Sequence, residues 1–147
     1  MLLLSPTVDI ANTHTGPTSS MARNKDSDFV EIIFSSEYSW RALLGSLDPD
    51  DVTARMWIAP GMRGLDTTGA LAGMPKTYLN AGGAEQTLDG VIALHERITA
   101  DNGAESIVFD VPDNATHDYL LSPWHEPERT ETLKRISFWV GRECWTS

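Results

Sequence analysis

Two short apolar runs separated by one helix-length segment constrain the fold more than any other feature. Residues 77–81 and 106–111 have the length and the β-branched and aromatic content of buried strands. Between them, residues from Gln86 to Ala100 carry apolar side chains at helical spacing, and Asn102-Gly103 ends the predicted helix. Leu88, Ile92, His95 and Thr99 form one stripe of this helix, with Val91 and Ile98 beside it. A strand–helix–strand unit with short connections predicts parallel strands joined by a right-handed crossover.

The first half of the chain predicts one further strand and little other regular structure. Residues 1–4 are apolar and are followed by Ser5-Pro6, which predicts a third strand. Residues 11–28 are polar and predict a loop. Asp28 and Ser36 are placed to cap two short helices, of which the second ends at Gly45, and residues 48–51 predict a turn. Residues 52–75 hold four glycines and two prolines and predict an irregular covering segment.

The C-terminal part predicts a final helix that packs on the sheet. It opens near Glu126-Pro127-Glu128, where proline and acidic residues suit a first helical turn. Its buried side is predicted to be Leu133, Ile136, Phe138, Trp139 and Val140. The predicted class is therefore α/β, with about three parallel strands, flanking helices and an irregular cap segment.

Composition excludes several classes of partner. A chain of 147 residues with 41% hydrophobic content suits one domain. The net charge of −10 argues against nucleic acid and against an anionic membrane surface. No apolar run is long enough to span a membrane, and the lone Cys144 suits a reducing compartment, so a cytoplasmic protein is expected. No metal-ligand spacing and no phosphate-binding glycine motif occurs, so neither a metal nor a cofactor is expected.

A carboxylate and a histidine follow successive predicted strands. Glu85 comes directly after the Gly82-Gly83 pair at the end of the first run, and His117 lies in the polar loop after the second. An α/β-hydrolase presents the acid and the base of its catalytic triad in this order along the chain. Asp89, one turn further along the helix, is the alternative acid. The other histidines have no partner pattern: His14, His95 and His125.

Segments along nearly the whole chain resemble the C-terminal part of the hormone-sensitive-lipase-like α/β-hydrolases, a family of esterases and lipases. Residues 71–85 resemble the strand that carries the acid, and residues 112–120, with Thr116-His117-Asp118, resemble the histidine loop. The other similar segments are residues 2–9, 19–24, 28–29 and 88–89. The resemblance implies a cap-like segment over about residues 11–74, acid and histidine strands over residues 75–147, and a serine-dependent carboxylic-ester hydrolase. The family more often has aspartate where this chain has Glu85.

The nucleophile that this resemblance implies is missing from the 147 residues. They contain neither a Gly-x-Ser-x-Gly elbow nor a His-Gly-Gly oxyanion motif, and Gly45-Ser46 lacks the second glycine. Three explanations are open: a truncated esterase, which we expect, a catalytically inactive relative or protein-interaction paralogue, or half of a composite site. In the truncated case residues 1–4 would form a bare sheet edge, and self-association through it becomes possible.

Overall fold

The predicted three-stranded parallel sheet is confirmed. The computed structural model describes residues 1–48 and 56–145, apart from the side chains of the last two of these. Strands β1 (Leu2–Leu4), β2 (Thr77–Asn80) and β3 (Ile107–Asp110) form one sheet in the order β1-β2-β3, and both pairs are parallel. β2 is therefore the central strand, and its carboxyl end lies between those of β1 and β3.

Helices flank the sheet, and the longest two follow β2 and β3 in the chain. The helices are α1 (Ser20–Arg23), α2 (Glu31–Ser35), α3 (Tyr38–Leu44), α4 (Leu88–Asn102) and α5 (Glu128–Trp145). Short 3₁₀ turns occupy Ala104–Ser106 and Tyr119–Leu121. Helix α4 begins two residues later than predicted, because the residues before it form a loop around the predicted acid. It ends at Gly103, whose φ of +85° favours glycine.

One face of the sheet packs on α4 through an apolar core. Leu79 of β2 is fully buried against Val91, Leu94 and Ile98 of α4. The buried face of α4 therefore differs from the predicted stripe, since His95 and Thr99 are only partly buried. His95 stacks on the ring of Phe109, with ring centroids 4.5 Å apart. This face forms the main hydrophobic core of the described residues.

The opposite face of the sheet meets α5 through a polar network. The Tyr78 hydroxyl donates to Asp110 Oδ2 at 2.6 Å, and Arg135 Nε donates to the same oxygen at 3.1 Å. Thr132 of α5 is fully buried and accepts from the Tyr119 hydroxyl at 2.7 Å. Asn80 in turn donates to Tyr119 at 2.9 Å. Helix α5 is thus attached to the sheet largely by directional hydrogen bonds.

The predicted buried side of α5 was wrong at two positions. Leu133 is 41% exposed and Phe138 is 69% exposed. Ile136, Trp139 and Val140 are partly buried, and the Trp139 ring meets the Tyr78 ring edge-on. The helix is rotated so that its polar residues reach the network, which turns Leu133 and Phe138 toward solvent.

The predicted caps of the two short helices were also wrong in part. Asp28 does not cap α2, because its Oδ2 accepts from the Gln86 N–H at 2.7 Å; the first N–H of the helix, at Glu31, donates to Gln86 Oε1 at 2.8 Å instead. Ser36 lies two residues before the start of α3 and accepts from the Tyr38 N–H at 3.3 Å. Helix α3 ends at Gly45 as predicted.

Residues 56–76 contain no helix or strand, which confirms an irregular covering segment over that range. The rest of that predicted segment and part of the predicted turn lie outside the described residues, at 49–55. Three side chains of α4 hold the segment by its backbone. Arg97 donates to the carbonyls of residues 60, 62 and 65, Asp101 accepts from the N–H groups of residues 69 and 71, and Asn102 contacts residues 71 and 73.

The outer edge of β1 carries exposed apolar side chains. Among the described strands β1 pairs only with β2, and Leu2 and Leu4 are 42% and 44% exposed. This agrees with the bare edge expected from the sequence. Within the described parts of the chain, no helix is both long enough and apolar enough to cross a membrane.

Truncation of Leu79 tests the core beneath β2. We expect Leu79→Ala to lower the free energy of unfolding by about 2–5 kcal/mol, because a fully buried side chain leaves a cavity. Leu121→Ala is the control: Leu121 is 79% exposed, and the change should stay within about 0.5 kcal/mol. Urea unfolding followed by circular dichroism measures both, and equal effects would contradict this placement of the core.

Candidate active site

The carboxylate of Glu85 is buried at the carboxyl end of the sheet and is held by three donors. Glu85 has no exposed surface. The Gly82 N–H donates to Oε2 at 2.9 Å, and the Ser5 hydroxyl, from the end of β1, donates to the same oxygen at 3.0 Å. The Thr87 hydroxyl donates to Oε1 at 3.0 Å. Such complete pairing is what a buried carboxylate requires.

Gly82 and Gly83 are needed because the histidine loop touches their backbone. A Cβ on Gly82 would lie 2.2 Å from the Ala115 carbonyl oxygen, and one on Gly83 would lie 2.7 Å from the Asp113 carbonyl oxygen. The Gly83 N–H donates to the Pro112 carbonyl at 2.8 Å, and the next N–H donates to Ala115 at 2.9 Å. The glycine pair therefore clamps the loop at residues 81–87, which carries Glu85, to the histidine loop.

This clamp brings His117 next to Glu85. His117 Nδ1 lies 3.9 Å from Glu85 Oε2 and 3.4 Å from the Thr87 hydroxyl oxygen. On the other side of the ring, Nε2 lies 3.7 Å from Asp118 Oδ2. The ring of Phe29 meets the imidazole nearly edge-on, with centroids 6.1 Å apart. The His117 side chain is 11% exposed, so it is sheltered but reachable from one side.

Asp89, the alternative acid, has other contacts. Its Oδ2 accepts from the Ser20 N–H at 2.8 Å, and Oδ1 lies 3.7 Å from the Arg23 guanidinium. The Ser20 hydroxyl donates to the Gln86 carbonyl at 2.7 Å. The structure therefore places Glu85, and not Asp89, beside His117.

Two residues of this arrangement were not identified from the sequence. Ser5 was interpreted only as the end of a strand, and Thr87 only as part of the predicted helix. One signal could have pointed to Ser5: it follows the strand that neighbours β2, so its side chain comes to the same sheet edge as Glu85. For Thr87 the signal was its position as the residue before a helix, where a hydroxyl is available to neighbouring groups.

Burial raises the pKa of Glu85 above its ordinary value. Removal of the carboxylate from water is the largest cause, and it is opposed by the hydrogen bonds from Gly82, Thr87 and Ser5 and by the nearby charge of His117. A carboxylate with these four neighbours can orient an imidazole and stabilise its protonated form.

Residues 1–48 and 56–145 contain neither a nucleophile positioned beside His117 nor a set of metal ligands. No serine hydroxyl of this part of the chain is hydrogen bonded to His117, and Ser46 lies in the turn after α3. No group of three His, Cys, Asp or Glu side chains in the same range is arranged to hold a metal ion.

Comparison with protein-family models gives no match, and comparison with curated proteins gives no significant match. The resemblance to α/β-hydrolases therefore stays a prediction that rests on the residues themselves.

Substitution of Gly82 tests the clamp between the two loops. We expect Gly82→Ala to lower the free energy of unfolding by at least about 1–3 kcal/mol, because its methyl group would overlap a backbone carbonyl. Gly141→Ala is the matched control, since a Cβ at this helical glycine meets no atom within 4 Å, and it should stabilise the protein by about 0.5–1 kcal/mol. Denaturant unfolding measures the stability of both variants. A Gly82→Ala variant as stable as the wild type would show that the two loops are not in backbone contact at this position.

The pKa of Glu85 predicts a pH dependence of stability. Because the folded pKa is raised above 4.5, the native state binds more protons than the unfolded chain at pH values just above 4.5. The stability contributed by this group is present below that pH and is lost as the pH rises through the folded pKa. The wild-type free energy of unfolding, minus that of Glu85→Gln, should therefore fall with pH, by at most about 1.4 kcal/mol per pH unit.

Urea unfolding of the wild type and the variant between about pH 4 and pH 8 measures this difference, in which titrating groups that do not interact with Glu85 cancel; repeating both in a His117→Gln background removes the coupling to that ring. Glu105→Gln, at an exposed position, is the control variant, and its urea unfolding is measured under the same conditions. A difference for Glu85→Gln that increases with pH would mean that the hydrogen bonds outweigh burial and that the pKa is lowered instead.

Proposed function

We propose that Glu85 and His117 are the acid and the base of a serine-dependent hydrolase of carboxylic esters. The observation that supports this is the placement of the buried Glu85 carboxylate on the Nδ1 side of His117, at the carboxyl end of a parallel sheet. Ligand and catalytic sites of open α/β sheets lie at this end. Histidine loop and acid loop are joined by backbone hydrogen bonds, which favours a fixed mutual geometry.

The proposed chemistry divides the work between the two ring nitrogens. His117 Nε2 takes the proton from a serine hydroxyl as that oxygen attacks the ester carbonyl, and then gives it to the leaving alcohol. Glu85 stabilises the imidazolium that forms in between. In the second half-reaction the same nitrogen takes a proton from water as the water oxygen attacks the acyl-serine carbonyl, and then gives that proton to the departing serine oxygen, which releases the carboxylic acid and restores the serine.

The free edge of β1 is where the missing strand would pair. A parallel strand beside β1 would end at the same edge as Ser5 and Glu85, so a nucleophile that follows it would come near His117. Leu2 and Leu4 are exposed on the face of the sheet that carries Tyr78, so a helix flanking that strand would have apolar surface to cover. Nucleophile and oxyanion donors would come from polypeptide outside these 147 residues, either along the same chain or from another one.

A small ester with a short- to medium-chain acyl group is the proposed substrate. A cavity of about 510 Å³ lies between the loop at residues 10–12 and helices α2 and α3. Met21, Phe34 and Trp40 give it apolar walls. Neither Glu85 nor His117 lines this cavity, but Phe29, just before α2, meets the His117 ring edge-on, and α2 itself lines the cavity. We further propose a cytoplasmic location from the charge and cysteine content.

One observation favours a second candidate, an inactive hydrolase relative that acts by protein interaction. The Glu85–His117 distance of 3.9 Å exceeds that of a direct hydrogen bond, and Thr87 reaches both groups. The exposed edge of β1 would then be a surface for self-association or for another protein. The two candidates differ in whether a nucleophile is ever supplied to His117.

The 147-residue chain by itself should be inactive under either candidate. We expect no turnover of a chromogenic acetate or butyrate ester above a His117→Ala control, because a general base contributes only beside a positioned nucleophile. A fluorophosphonate probe should label no serine. Stoichiometric labelling that His117→Ala abolishes would reveal a nucleophile within these residues and would contradict the placement of the nucleophile elsewhere.

The transcript upstream of the Met1 codon discriminates the two candidates. If it encodes a His-Gly-Gly loop and a Gly-x-Ser-x-Gly elbow, the extended chain should hydrolyse butyrate esters. His117→Ala should then lower kcat by at least ~10²-fold, and Glu85→Gln should lower it as well. His95→Gln is the matched control, because His95 packs on Phe109 away from the site. A stop codon upstream would support the inactive relative.

A further inference from the structure

We propose that the Thr87 hydroxyl sets the tautomer of His117, by linking Glu85 Oε1 to His117 Nδ1. Thr87 is thus a positioning residue. Its role in catalysis rests on the proposed function, whereas its effect on the His117 tautomer does not. The acid then acts on the base through a neutral hydroxyl as well as through direct attraction. Three features of the structure carry this inference.

The first feature is a helix cap that is not made. Thr87 is the residue before α4, where a threonine hydroxyl ordinarily accepts from a backbone N–H of the first helical turn. The Thr87 side chain makes no such bond, and the Asp89 N–H of the first turn donates instead to the Ser20 hydroxyl at 3.0 Å. The Thr87 hydroxyl is turned to Glu85 Oε1 at 3.0 Å and to His117 Nδ1 at 3.4 Å. A change at Thr87 therefore removes no helix cap.

The second feature is the number of protons. The Thr87 hydroxyl has one proton and faces two possible acceptors, a carboxylate oxygen and an imidazole nitrogen. Hydrogen bonds to ionised acceptors are the stronger ones, and the carboxylate is also the closer of the two. The Thr87 hydroxyl therefore donates its hydrogen bond to Glu85, and its oxygen presents a lone pair to His117 Nδ1. A contact at that nitrogen is favourable only if Nδ1 carries the proton.

The third feature is the way the other carboxylate oxygen is used. Glu85 Oε2, the oxygen closer to the ring, already accepts from Ser5 and Gly82 and lies 3.9 Å from Nδ1. At Nε2 a second carboxylate is near, with Asp118 Oδ2 at 3.7 Å on a side chain that is 46% exposed. Water screens that carboxylate, so it competes weakly for the ring proton. Among the described residues, Thr87 alone is hydrogen-bonded to a ring nitrogen of His117.

The consequence is a ring with its proton on Nδ1 and its lone pair on Nε2. This is the tautomer that a general base needs if Nε2 is to accept a proton from a nucleophile. The structure assigns this role to Thr87 even though no nucleophile is present among the described residues.

The test reads the tautomer of His117 directly, in the 147-residue chain, by long-range ¹H–¹⁵N correlation at alkaline pH, where histidine rings are neutral. His117→Gln identifies the signals of His117 among those of the four histidines. In the wild type we expect the Nδ1–H form to be the major one. Thr87→Val, which keeps the shape and removes the hydroxyl, should lose this preference, and Thr87→Ser should restore it.

Asp118→Asn is the matched control and should leave the Nδ1–H form in the majority. An Nε2–H form in the wild type overturns the inference, as does a Thr87→Val variant with the wild-type tautomer, which would show that Glu85 acts directly. Failure of Thr87→Ser to restore the tautomer overturns it too. Circular dichroism establishes that each variant is folded. An inactive extended chain that keeps the Nδ1–H form would contradict the proposed function and leave this inference standing.

Discussion

A carboxylate without any exposed surface can persist in a folded chain only when its neighbours satisfy it, and Glu85 imposes this requirement on three separate parts of the molecule. Ser5 comes from the end of β1, Gly82 from the loop after β2, and Thr87 from the start of α4. Gly82 and Thr87 lie within three residues of Glu85, whereas Ser5 is 80 residues away and reaches it because the parallel strands β1 and β2 bring their carboxyl ends to one edge. Oε2 has two donors and keeps one if Ser5 is changed, whereas Oε1 accepts only from Thr87 among the described residues, so loss of that hydroxyl leaves a buried oxygen unpaired.

Different interactions stabilise the two faces of the sheet: apolar packing on one and hydrogen bonds on the other. On the α4 side, Leu79 and its neighbours exclude water through shape and apolar area, which tolerates small shifts. On the α5 side, Tyr78, Asp110 and Arg135 are linked by hydrogen bonds whose geometry is directional. Burial and the neighbouring Asp110 carboxylate raise the pKa of the Tyr78 hydroxyl well above its usual range. The sheet is thus held in register from one side and packed from the other.

Periodicity was sufficient to predict the strands, their parallel arrangement and helix α4, because these depend on local patterns of apolar residues. It failed at Leu133 and Phe138, since the rotation of α5 is set by Thr132 and Arg135 reaching partners on other elements. The acid and the histidine were found by their place after successive strands. Ser5 and Thr87 were missed because a hydroxyl near a chain turn has many local uses, and only the tertiary structure shows which one applies. Whether the acid and histidine act together in catalysis stays a prediction.

The attachment of residues 56–76 to α4 has a consequence for how the chain can diverge. Arg97, Asp101 and Asn102 contact the covering segment through its carbonyl and N–H groups, which every residue except proline supplies alike. Exposed positions of the segment, such as Arg63 and Asp66, can therefore change identity without loss of these contacts. The two sides of this contact therefore differ in their tolerance to mutation. The side chains at the end of α4 must be kept, whereas many side chains of the covering segment can be replaced.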